Sequence, residues 1–107
     1  MQNVTTPELA EWLDKADRFK PMLLDVREPW EFQTCHIGGA LTMPMNTIPG
    51  KLSELDTEQQ IICVCHHGVR SMQVALFLEE YGFTRISNLT GGVHAWAKQV
   101  DSTMPTY

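Results

Sequence analysis

The sequence predicts an open α/β fold: a small central, mostly parallel sheet of about five strands with helices on both faces. Two observations carry this expectation. The short apolar runs Met22–Val26 and Ile61–Cys65 have the length and composition of strands buried on both faces. Stretches with helical spacing and helix-boundary residues lie between and after them, so strands alternate with helices and run parallel. In such a sheet the functional site lies beyond the carboxyl ends of the strands.

Each element has its own signal. Thr5-Thr6-Pro7-Glu8 reads as a helix start, with a hydroxyl cap, a proline in the first turn and an acid near the positive helix end. Leu9, Trp12 and Leu13 give that helix an apolar face. Pro21 punctuates before the first strand, and Pro29 to Thr34 reads as a short helix ending near the turn at Gly38-Gly39. Ala40 to Met43 suggests a further short strand. A turn at Pro49-Gly50 then leads into a short amphipathic helix through Leu52 and Leu55. Ile61 to Cys65 is the strongest strand. Ser71 to Tyr81 follows as a helix, with Val74, Leu76, Phe77 and Leu78 facing inward and Gly82 as its stop. Arg85 to Leu89 is a last strand, and Gly91-Gly92 opens a helix through Val93, Trp96 and Ala97. Trp12, Trp30 and Trp96 are expected to pack.

Composition narrows the function classes. At 107 residues, 43% hydrophobic and 20% charged, residues 1–107 are expected to form one ordered domain with one site. The formal net charge is -5 and the eight Lys and Arg are scattered, which argues against a nucleic-acid partner. No apolar run approaches the roughly 20 residues of a membrane-spanning helix, so no membrane partner is expected. Met1 to Ala10 has neither a basic region nor an apolar core of a secretory signal. Three closely spaced cysteines do not make a disulfide framework. A cytoplasmic, reducing location is the expectation, with thiol chemistry or buried structural thiols as the alternatives.

The chemistry concentrates in Ile61-Ile62-Cys63-Val64-Cys65-His66-His67-Gly68-Val69-Arg70-Ser71, which runs from a strand through a tight loop into a helix. Cys65 stands at the strand's carboxyl end, where backbone N–H groups of the loop and the positive end of the next helix favour a thiolate. Gly68 permits the backbone angles of a tight concave loop. Arg70 brings a fixed positive charge to the rim, suited to an oxyanion. Ser71 can cap the helix and offer its hydroxyl to the cradle. Cys65 is therefore the expected nucleophile, with His66, His67, Gly68, Val69, Arg70 and Ser71 as substrate-binding residues.

The loop Cys-His-His-Gly-Val-Arg-Ser resembles the active-site loop of rhodanese domains. Asp25-Val26-Arg27-Glu28, Glu31-Phe32 and His36-Ile37-Gly38-Gly39-Ala40 resemble that family's first signature in the right order, and Asn88 to Trp96 resembles its C-terminal one. The resemblance implies a thiosulfate sulfurtransferase that needs no cofactor. Cys65 attacks the outer sulfur of thiosulfate, releases sulfite, and passes the persulfide sulfur to a thiophilic acceptor such as cyanide or a thiol. Two readings stand beside it: a persulfide relay or adaptor module with a protein partner, and a phosphatase or arsenate reductase-like enzyme. Phosphatase loops on related folds follow Cys-x5-Arg, which fits phosphate or arsenate, whereas the spacing here is Cys65-x4-Arg70, one residue shorter and better suited to a sulfur atom.

The remaining polar residues have plainer expectations. Cys35, where the family usually has glycine, and Cys63, deeper on the same strand face as Cys65, are expected as small buried hydrophobes rather than redox partners. Cys63 and Cys65 do not form the Cys-x2-Cys knuckle of common zinc sites, so no metal is expected on them with His36, His66 or His67. Asp25, Arg27, Glu31 and His36 are expected to tie loops together rather than to catalyse. His94 is expected to be a solvated or internally satisfied histidine.

Overall fold

The computed structural model describes Met1–Tyr107. Five strands, β1 (Gln2–Val4), β2 (Met22–Asp25), β3 (Leu41–Thr42), β4 (Ile61–Val64) and β5 (Ile86–Leu89), form one sheet in the order β1-β5-β4-β2-β3. Every pairing is parallel, with Leu24 opposite Cys63 and Cys63 opposite Asn88 across the centre. The helices are α1 (Thr6–Asp14), α2 (Pro29–Thr34), α3 (Val69–Glu80) and α4 (Gly92–Gln99). The expected α/β class, parallel sheet and two helical layers are all present.

Period-two alternation along each strand divides the core in two. Ile61, Cys63 and Cys65 face one cluster with Leu24, Val74, Ala75, Leu78 and Ile86, covered by α3. Ile62 and Val64 face the other with Leu9, Trp12, Leu89, Val93 and Trp96, covered by α1 and α4. Because β4 sits at the centre with both faces buried, Cys65 at its end is anchored by rigid neighbours on every side.

Several local expectations hold closely. Thr5 caps α1, its hydroxyl accepting from the Glu8 amide while the Glu8 carboxylate accepts from the Thr5 amide. Others are corrected. β1 had no sequence signal; its three residues become a strand by pairing with β5. Pro49–Glu54 is a 3-10 segment rather than the expected amphipathic helix, and Gly50 in its first turn weakens a regular helix there. Helix α3 begins at Val69, because Gly68, at φ 104°, breaks the backbone before it. Ser71 therefore lies inside the helix and does not cap it. Leu76 points outward at 49% exposure, because Val74, Ala75 and Leu78 already fill the inward face. Trp30 is 58% exposed and meets only the edge of Tyr107.

Candidate active site

The site is built where β4 ends. Cys65 Sγ accepts hydrogen bonds from the backbone N–H groups of Gly68 (3.0 Å) and Ser71 (3.3 Å), and lies 3.2 Å from Ser71 Oγ. The thiol is 1% exposed, beneath the loop it heads. The backbone N–H groups of His66, His67, Val69 and Arg70 donate to no protein acceptor. Four free donors in the first turn of α3 and its approach make a ready anion cradle directly after the sulfur.

Asn88 completes the buried side of the cradle. Its Nδ2 donates to Gly68 O (3.2 Å), which fixes its amide orientation, and its Oδ1 accepts from the Ser71 hydroxyl. With that proton committed to Asn88, the Ser71 oxygen turns its lone pairs to Cys65, so the thiol proton can be the donor there. Sequence reasoning gave Asn88 no role. The signal was present as a polar residue in the middle of a buried strand.

Helix α4 locks the loop from above. Val93 N donates to Cys65 O (2.9 Å) and His94 N to His66 O (3.0 Å), so the first amides of α4 satisfy the loop's carbonyls. Gly92 lets the two backbones approach this closely: a Cβ there would lie 2.2 Å from Cys65 O and 2.5 Å from His66 O. Gly92 is thus a packing requirement of the cysteine loop.

Charged residues expected to tie loops do so. Arg27 makes a buried pair with Asp25 (Nη2–Oδ2 2.7 Å) and donates to Cys35 O, fixing the end of α2. Arg70 is held by both terminal nitrogens on Glu31 (2.8 Å each). That hydrogen-bonded pairing, helped by the Glu28 amide and Tyr107 hydroxyl against the opposing effect of burial, lowers the Glu31 pKa to about 2. The guanidinium stands at the rim as expected, already neutralised rather than free for an oxyanion. His36 is occupied away from the loop, stacked on Phe32 with Nδ1 at 2.8 Å from Phe32 O. Cys63 is fully buried, and that burial, with Cys65 beside it, pushes its thiol up to about 12. Cys35 is buried, and all three cysteines are free.

Comparison with known proteins agrees with this geometry. The family model for the rhodanese-like domain matches residues 5–99. The chain belongs to the rhodanese family. Within this rhodanese group it is 37% identical to a sulfurtransferase of Allochromatium vinosum over 78% of each chain. It is 33% identical to the thiosulfate sulfurtransferase GlpE of Pseudoalteromonas translucida over 89% of this chain and 88% of that protein. It also matches a probable adenylyltransferase/sulfurtransferase, MoeZ, of Mycobacterium tuberculosis at 35% identity, spanning 97% of this chain but only 26% of MoeZ. The crystal structure of a rhodanese-like domain protein from Staphylococcus aureus superposes with a TM-score of 0.82 at 35% identity, covering 90% of this chain and 91% of that one. The rhodanese fold and membership in a sulfurtransferase family follow.

Sequence reasoning missed two further residues near the loop. Tyr107 stacks on His66 (centroids 4.2 Å) and links Arg27 Nη1 to Glu31 Oε1 through its hydroxyl (2.9 Å each). His94, expected to be solvated or satisfied, is half-buried, makes no side-chain hydrogen bond, and sits against His66 and His67. The largest surface cavity, lined by Gln2, Gln60 and Arg85 among others, lies at the amino-terminal end of the sheet and shares no residue with the loop.

Proposed function

We propose that the protein transfers a sulfane sulfur from thiosulfate, or another persulfide donor, to cyanide or a thiol through a Cys65 persulfide. In the first step Cys65 thiolate attacks the outer sulfur of thiosulfate: the new S–S bond forms, the bond to the sulfonate breaks, and its electron pair leaves with sulfite. In the second step the acceptor attacks the outer persulfide sulfur and the Cys65 thiolate departs. No cofactor is needed for either displacement. One observation carries the reading: Sγ already receives two amide donors, while four further N–H groups of His66, His67, Val69 and Arg70 are unpaired. A persulfide's outer sulfur is a one-atom anion with few other partners, and this cradle suits it.

The phosphatase-like alternative fits less well. Its chemistry needs a guanidinium free to clamp a tetrahedral oxyanion, and Arg70 is committed to Glu31 through both terminal nitrogens. A protein sulfur acceptor has specific support. The loop's rim carries exposed apolar surface, Val69 at 68% and Trp30 at 58%, which a docking partner could cover. Three free cysteines and a persulfide also suit a reducing compartment such as the cytoplasm.

Steady-state turnover with thiosulfate and cyanide tests the proposal. Parallel lines in double-reciprocal plots, and loss of thiocyanate formation in Cys65→Ser, are expected of a two-displacement path. Intersecting lines, or turnover surviving in Cys65→Ser, overturn it.

A further inference from the structure

The imidazole rings of the three histidines around the loop form a constellation that sulfur transfer, which draws only on the His66 and His67 backbone, does not use. His66 and His67 follow Cys65, whereas His94 lies on α4, and the hydrogen bond from His94 N to His66 O brings the two segments together. One ring nitrogen from each of the three can be chosen so that all lie within 4.8 Å of one another. We propose that His66, His67 and His94 hold one borderline divalent cation of the zinc type, beside the sulfur-carrying loop.

Three observations support the site. None of the three rings makes a hydrogen bond to the protein, so every ring nitrogen is available as a ligand or as a donor behind one. The rings are mutually inclined, at 39°, 47° and 79°, as imidazoles converging on a point are, and not stacked face to face as an apolar cluster. Tyr107, stacked on His66, restrains that ring.

The donor set indicates the cation class. Three imidazoles with no carboxylate favour zinc and its neighbours over magnesium or calcium, which require oxygen. Zinc–nitrogen bonds of about 2.0–2.1 Å in a tetrahedral site place ligand nitrogens about 3.3 Å apart. Three protein ligands leave a position for water or an incoming sulfur-bearing ligand. The proposed site departs from the expectation that no metal binds here. Its members differ from those first considered: His94 takes part, while Cys63 is core and His36 is engaged with Phe32.

The test is calorimetric titration of the reduced, chelator-treated protein with zinc chloride at neutral pH, with cobalt(II) spectra as a second readout. Wild type and Cys65→Ser are each expected to bind one equivalent. His67→Ala and His94→Ala should each weaken binding at least tenfold, and the cobalt spectrum should lack a thiolate charge-transfer band. His67 is exposed, so its replacement leaves the fold in place and keeps the test decisive if His94→Ala unfolds. Absence of binding to wild type overturns the proposal. So does binding unchanged in His67→Ala, or binding lost in Cys65→Ser with a thiolate band in wild type, which assigns the metal to cysteine.

Discussion

Gly92→Ala should disrupt the cysteine loop from a position outside it. The new Cβ would stand 2.2 Å from Cys65 O, 2.5 Å from His66 O and 2.6 Å from the His66 carbonyl carbon. Restoring ordinary contact requires the two backbones to part by about 1 Å. That separation breaks the bonds from Val93 N to Cys65 O and His94 N to His66 O, at roughly 1 kcal/mol each. Gly92 also has φ +58°, where a side chain costs about 1–2 kcal/mol. The sum is about 3–4 kcal/mol, which for a domain of this size lowers the melting temperature by roughly 12–16 °C. Gly39→Ala is the matched control: its φ is +86°, but nothing lies within 4 Å of its Cβ, so it feels the backbone term alone. Thermal melts by circular dichroism read both variants, and sulfur loading from thiosulfate should slow only in Gly92→Ala. Equal melting temperatures for the two variants would refute the claim that α4 and the loop are locked by close approach.

Other perturbations have equally definite outcomes. Glu31 has its folded pKa depressed from 4.5 to about 2, so its stabilisation is full above pH 4.5 and is lost as pH falls toward 2. Discounted for the partly exposed Arg70, the loss is about 2 kcal/mol; denaturant titrations across that window should show it in wild type and a flatter acid limb in Glu31→Gln. Ser71→Ala leaves Asn88 Oδ1 without its donor in a buried setting, which should cost about 1–3 kcal/mol in chemical denaturation and slow persulfide formation. Arg27→Met strands the buried Asp25 carboxylate and should cost about 3–5 kcal/mol, while Asp25→Leu combined with it should recover part of the loss. A double-mutant cycle by urea melts reads that recovery, and strict additivity would contradict the pairing.

What the sequence made legible followed from local physics. The β4 run, the α2 boundaries at Pro29 and Thr34, and the Thr5 cap are each written in consecutive residues. So was the position of Cys65, between the end of β4 and the start of α3. What escaped depends on contacts between distant residues. Gln2-Asn3-Val4, too short to carry a strand pattern, becomes β1 only through β5. The commitment of Arg70 to Glu31 joins residues 39 apart, and Ser71 meets Asn88 across 17. Gly91-Gly92 was legible as a helix opening, but the role of Gly92, letting α4 close onto the Cys65 and His66 carbonyls, appears only in three dimensions. The same approach carries His94 to His66 and His67, so the histidine cluster escaped with it.

The most direct test of the central claim is the intact mass of reduced protein after incubation with thiosulfate, followed by peptide mapping. A gain of one sulfur atom on the Cys65 peptide is expected in wild type and Cys35→Ser, with none in Cys65→Ser. Failure of wild type to gain sulfur from any sulfane donor, or a gain that persists in Cys65→Ser, would contradict the account.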